Sequence, residues 1–220
     1  MIQSDNRIVM TGSKVKARTR ARRKAERPAE ILDAAFEEFV KEGYAATRLE
    51  DVAARAGVTK GTIYFHFENK EKLFVQMVHE LSKPALERTQ AFLSEDIDDI
   101  DEFLSAYLDF GHTLMFDDRY TREIFRLLIS EAVRFPDLVD AHFDQFVEPI
   151  FARLNEKLAV AAKEGKVRHT PALNFPNLML SSVLSLNIFM LIFGDRRSIN
   201  KAEWVEAAKD LLFYGLLPRK

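Results

Sequence analysis

Lys60, Gly61, Thr62, Tyr64, Phe65 and His66 crowd one short run with side chains that can touch another molecule. A lysine can donate to the edge of a guanine in the major groove, and a threonine can meet a base edge or a thymine methyl. A glycine lets the backbone come close to its target. Within the same run Ile63 and Phe67 lie four residues apart, the spacing that turns two side chains to one side of a helix. Lys60 to Phe67 then makes a helix of about two turns, roughly 10 Å long. With two apolar anchors it buries too little to be explained by packing. It suits insertion into the major groove of DNA. Phe65 has two readings, contact with a sugar or thymine methyl, or a place in the core.

The elements around this run are those of a helix-turn-helix. Thr47 and Glu50 have the T-x-x-E spacing of a capping box, which predicts a helix start. Val52, Ala53 and Ala56 give that first helix a narrow apolar face. Gly57 can take the left-handed conformation that ends a helix. Val58 plugs the turn, and Thr59 is an N-cap for the second helix. Thr47, Thr59 and Lys70 each stand at a predicted helix start, where free amides favour a phosphate. Arg48 can reach a phosphate or a base edge, or stand solvated.

The run GVTKGTIYFHFENKEKLF resembles the signature of Tet-repressor-type regulators, most densely over residues 29–78. The turn glycine, K-G-T, Y-x-H-F and the trailing lysine all fall in register. The resemblance implies an all-α protein, with a small three-helix helix-turn-helix DNA-binding domain before a larger helical domain for effector binding and dimerisation. It implies that Tyr64 and His66 form a phosphate-binding pair. It also implies a sequence-specific transcriptional repressor, homodimeric on double-stranded operator DNA and released by a small apolar or amphipathic effector. One short recognition helix reads few base pairs, whereas two related by a dyad read a palindrome with half-sites about 34–36 Å apart. The later run ISEAVRFPDLVDAHFD resembles the C-terminal region of the AefR-like subgroup.

Charge is distributed as DNA binding at one end requires. The 220 residues carry a net charge of -2, but residues 1–80 carry +3 and residues 81–220 carry -5. The expected divisions are a basic arm over 1–27, a helix-turn-helix domain over 28–82 and an effector and dimerisation domain over 83–220. The arm has seven Lys/Arg between Lys14 and Lys24 and few apolar residues, which predicts disorder in isolation. On DNA it can follow phosphates or enter a minor groove. Pro28 suits the first position of a helix whose stripe is Ile31, Leu32, Ala35, Phe36, Phe39 and Val40, and Gly43 ends that helix. A helix from Asn69 to about Ser82 follows, and Pro84 kinks or restarts the chain. There is no cysteine and no visible signal peptide, so a cytoplasmic location is expected.

From Asp96 onward the apolar spacing is helical. Helices are predicted from about Ile100, from Arg119 to Val133, from Pro136 to Lys163 with a kink at Pro149, and from Ile199 to Leu217. Thr170 to Gly194 holds no charged residue, a length that can span a membrane. Asn174, Asn177, Ser181 and Ser185 fall on one face of it and argue for burial by protein instead of lipid, so no membrane partner is expected. The resemblance implies that the last two long helices pair with a second subunit as a four-helix bundle. Ser181, Ser185, Trp204 and Leu211 are the candidates for that interface.

The chain holds eighteen phenylalanines, most of them after residue 80, which an aromatic helical core explains. Polar residues on apolar faces, His112, Arg126, His142 and Gln145, are the candidates for the effector cavity that the resemblance implies. Phe110, Met115, Phe146 and Phe189 join them as apolar lining. The histidines show no metal spacing, and no nucleophile or paired-carboxylate motif is present, so neither catalysis nor a cofactor is expected. Two other readings stand beside this one: a non-specific structural DNA-binding protein without an effector, and a membrane-attached regulator using residues 170–194.

Overall fold

The computed structural model describes the backbone of residues 10–216 and the side chains of residues 27–214 except those of 176 and 195. Among the described residues ten α-helices follow one another: α1 (Met10–Ala46), α2 (Leu49–Arg55), α3 (Lys60–His66), α4 (Lys70–Ser94), α5 (Ile100–Phe116), α6 (Arg119–Glu131), α7 (Pro136–His142), α8 (Glu148–Lys163), α9 (Ser181–Phe193) and α10 (Lys201–Leu216). Among the described residues there is no strand. The chain divides into two compact units, Met1–Glu80 and Leu81–Lys220. Helix α4 begins in the first and ends in the second.

The first unit is built on a buried aromatic cluster. Phe36, Phe39 and Phe74 are fully buried, as are Ile31, Val52, Ile63, Leu73 and Met77. Phe74 meets the rings of Phe39 and Tyr44 edge-on, each at 5.1 Å, and Phe39 stacks on Tyr44 at 5.8 Å. Two helices thus converge on one spot, because α1 brings Phe39 and, beyond the break at Gly43, Tyr44, while α4 brings Phe74. Gly43 has φ +76°, left-handed backbone that a glycine adopts without strain, and it breaks the helical geometry near the end of α1.

The backbone of the basic arm is helical from Met10, which its Ala, Arg and Lys, strong helix formers, favour. Residues 1–9 lie outside the described part. Pro28 is consequently inside α1 instead of at its first position, and Pro84 sits within α4, which runs on for ten more residues. The second unit has α5 at its centre, packed by α6, α8, α9 and α10. Phe103, Leu104 and Tyr107 of α5 pack with Phe92 of α4 and with Leu154 and Leu158 of α8. The predicted helix 136–163 is interrupted by a π-helical turn, Phe143–Val147, just ahead of Pro149. Proline has no amide hydrogen to donate, and a wider turn accommodates the missing bond.

The uncharged segment 170–194 is not one helix. Pro171 and Pro176 open two 3₁₀ turns, Pro171–Asn174 and Pro176–Leu180, and only Ser181–Phe193 is α-helical. Among the described residues no helix is long and apolar enough to cross a membrane. Asn174, Asn177, Ser181 and Ser185 are exposed, against the expected burial of that stripe. Gly111 sets how closely α5 and α9 approach. A Cβ there would stand 3.0 Å from Val183 Cγ2 and 3.3 Å from Leu180 Cδ2. Gly111→Ala is therefore expected to lose about 1–3 kcal/mol through overpacking. Urea unfolding measures this, and a neutral or stabilised variant would show that α9 yields freely.

Candidate nucleic-acid interface and internal cavity

Helix α3 is held by its two ends and one side. Thr59 caps it, accepting the Thr62 amide on Oγ1 at 3.2 Å, and the Thr59 and Thr62 hydroxyls lie 3.0 Å apart. Before it, the Gly57 amide donates to Ala54 O and the Val58 amide to Ala53 O, the paired bonds of a Schellman turn with glycine at φ +63°. Ile63 is fully buried and Phe67 nearly so. The other face is open: Tyr64 is 48 % exposed and Phe65 is 73 % exposed, so Phe65 is not core. Gly61 is exposed too, and Thr62 and His66 are half-buried.

The cations around α3 already have partners within the protein. Lys60 Nζ donates to Glu50 Oε1 of α2 at 2.6 Å and lies 5.6 Å from the Tyr64 ring centre. The hydrogen bond holds the Lys60 ammonium above its ordinary pKa and the Glu50 carboxyl below its own. Lys70 opens α4, where its Nζ donates to Ala45 O at 3.0 Å and sits 4.6 Å over the Tyr44 ring. Arg48 is exposed at the start of α2.

Thr47 is a correction. The expected capping box does not form: Arg48 occupies the cap position, and no side chain caps α2. Thr47 is 3 % exposed, and its hydroxyl lies 2.7 Å from Gly43 O and 3.1 Å from Glu38 O, both acceptors of its single proton. A hydroxyl turned inward in this way has no proton to give a phosphate. Glu38 in turn accepts from Arg55 Nε at 2.6 Å, fastening α1 to α2.

The second unit holds a small internal cavity. It is lined by His112, Met115 and Phe116 of α5, Arg122 of α6, and Val183, Leu186, Asn187 and Met190 of α9. The gap between these side chains is too narrow for a water molecule. Of the eight pocket candidates the structure brings His112 and Met115 here. Phe110 stacks on Phe92 at 4.5 Å, Arg126 pairs with Glu123 at 2.7 Å, His142 stacks on Phe146 at 4.3 Å, and Phe189 packs against Phe193 at 4.7 Å. Gln145 is exposed in the π turn. These side chains belong to local packing because each finds its partner within its own or an adjoining element. Asn187 is the lining residue with a signal in the sequence, a lone amide inside an apolar stretch; the apolar members carry none.

Helices α9 and α10 also leave apolar groups in the open. Leu184, Ile188 and Ile192 recur along one side of α9, beside the exposed Ser181 and Ser185, and Leu211 and Tyr214 stand out from α10, Leu211 at 78 % exposure. Trp204 is different. It is half-buried, and its indole N–H donates to Ser182 O at 3.2 Å, tying α10 to α9 within one chain.

Residues 31–77 match the family model for bacterial regulatory proteins of the tetR family, and residues 101–191 match that for the C-terminal domain of AefR-like transcriptional repressors. The chain belongs to the Tet-repressor family. Its relatives include the HTH-type transcriptional regulator YvkB of Bacillus subtilis, 25 % identical over 76 % of this chain and 84 % of that one. The regulator TtgR of Pseudomonas putida is 38 % identical, in a match that spans about half of each protein, 47 % and 49 %. Among solved structures, FadR of Bacillus subtilis in complex with stearoyl-CoA has a TM-score of 0.66 at 18 % identity, covering 85 % of this chain and 98 % of that one. AibR, solved with isovaleryl coenzyme A and operator DNA, has a TM-score of 0.67 at 21 % identity over 86 % and 98 %. At such identities these likenesses speak for the shared fold. The family makes this protein a DNA-binding transcriptional regulator.

Proposed function

We propose that the protein is a homodimeric repressor that grips a palindromic operator with the α3 helices of two protomers and leaves it when a small, largely apolar ligand fills the second unit. The observation that carries this reading is α3 itself, seven residues long, anchored by one buried side chain and open along Gly61, Tyr64 and Phe65. In this reading Lys60 and Thr62 meet base edges, and Gly61 admits the backbone. Phe65 lies on a sugar or thymine methyl. Tyr64, His66, Arg48, Thr59 and Lys70 hold phosphates, which position the helix without reading sequence. The exposed apolar side of α9 and α10, with Ser181, Ser185 and Leu211, supports a second copy as partner. Ligand release draws support from relatives solved with stearoyl-CoA and with isovaleryl coenzyme A. The protein then works in the cytoplasm, where the operator is.

The test is selection of genomic DNA fragments by purified protein at two salt concentrations, with Tyr64→Ala alongside. Wild type is expected to recover a few palindromic sites, and the variant to lose affinity for all of them alike. Salt-labile recovery of every fragment would instead identify a DNA coater.

A further inference from the structure

Two side chains on the cavity wall carry polar atoms that the protein buries and does not bond. His112 is 1 % exposed and Asn187 is 3 % exposed. His112 Nε2 and both Asn187 Oδ1 and Nδ2 have no hydrogen-bond partner. The space between the walls admits no water to serve them. Buried polar groups are almost always bonded, so three such atoms around one cavity call for something that completes them.

Their chemistry says what completes them. His112 Nδ1 lies 2.8 Å from Leu108 O, and a carbonyl only accepts, so Nδ1 carries the ring proton. Burial pushes the imidazole pKa down, with Asp109 of α5 acting against this and Lys201 and Lys209 of α10 acting with it. The ring is therefore neutral, and Nε2 presents a bare lone pair. Asn187 adds one acceptor and one donor group. Arg122, the charged group on this wall, turns Nη1 to Phe116 O at 2.7 Å and Met115 O at 3.5 Å, closing the end of α5. The remaining wall is apolar. An anionic head would face the Nε2 and Oδ1 lone pairs, and its counter-charge on this wall would be the Arg122 guanidinium, whose Nη1 already serves the end of α5.

We infer that this cavity is the effector site and that it takes an uncharged, mainly apolar molecule with a hydroxyl or amide N–H, donated to His112 Nε2 while Asn187 bonds the ligand's other polar positions. The inference rests on the reading of the protein as a ligand-released repressor. It separates this protein's effector from a free carboxylate. The gap is too narrow even for a water molecule, so a ligand must part α5 from α9, which touch at Gly111 and Val183, to enter.

Phenylpropanol, its methyl ether and phenylpropanoate share one apolar body and differ in the head. Binding to the full chain is read by calorimetry, and operator release by fluorescence anisotropy. The alcohol is expected to bind at least about tenfold more tightly than the ether, which cannot donate, and than the carboxylate. His112→Leu is expected to keep operator binding and to bring the ether level with the alcohol. A nitrogen-15 spectrum should show the His112 proton on Nδ1. Equal binding of alcohol and ether to wild type, tighter binding of the carboxylate, no millimolar binding of the alcohol, or a proton on Nε2 would each overturn the inference. Alcohol binding with the operator retained would uphold the ligand class and overturn release.

Discussion

Phe74→Ala is expected to remove about 3–5 kcal/mol from the unfolding free energy of the first unit. Phe74 is fully buried, and its ring is the point where Phe39 and Tyr44 meet α4 edge-on. Truncation leaves a void between α1 and α4, and neither can close it without shifting the other. A small domain has about 5–15 kcal/mol in all, so the loss is a large share of it. Operator binding should fall with it at growth temperature, although Phe74 touches no DNA in the proposed complex. Phe74→Leu keeps most of the volume and should lose far less. Phe65→Ala is the control: at 73 % exposure it should move stability by no more than about 0.5 kcal/mol. Chemical unfolding of the three variants decides the matter, and a loss under about 1 kcal/mol in Phe74→Ala would mean that the cluster repacks.

The second large effect concerns a pair. Lys60 cannot reach a base while its ammonium is held 2.6 Å from Glu50. Both side chains are about half exposed, so the pair is screened and readily exchanged. Binding to DNA trades that carboxylate for a base edge and leaves Glu50 near phosphates of its own sign. Glu50→Gln should therefore bind every sequence more tightly. Lys60→Ala should weaken the preferred site roughly tenfold to a hundredfold and flatten preference at one position. In the double variant the Glu50 effect should shrink, because its partner is gone. Competition titrations with the site and its single-base variants measure all three, and an Ala variant that loses affinity uniformly would make Lys60 a phosphate contact instead.

What could be read from the chain beforehand was local. Thr59 capping α3, the Gly57 turn and the inward pair Ile63 and Phe67 are set by residues within a few positions of one another, and each stands as its spacing implied. Thr47 failed for the opposite reason. Its hydroxyl is claimed by the Gly43 carbonyl, four residues back across the break in α1, and by the Glu38 carbonyl, nine residues back, which no local pattern reveals. The cavity is harder still, since His112 and Asn187 meet only because α5 and α9 pack side by side. The segment 170–194 misled because its apolar content hid Pro171 and Pro176, either of which opens a new turn.

Pro84 has a consequence for stiffness. An α-helix resists bending through its ladder of backbone bonds, and proline cannot donate the rung that reaches back four residues. In α4 that missing rung spans residues 80–84, where the chain passes from one compact unit to the other. The 25-residue rod is thus softest at its crossing point, and a given force bends it there before anywhere else along its length.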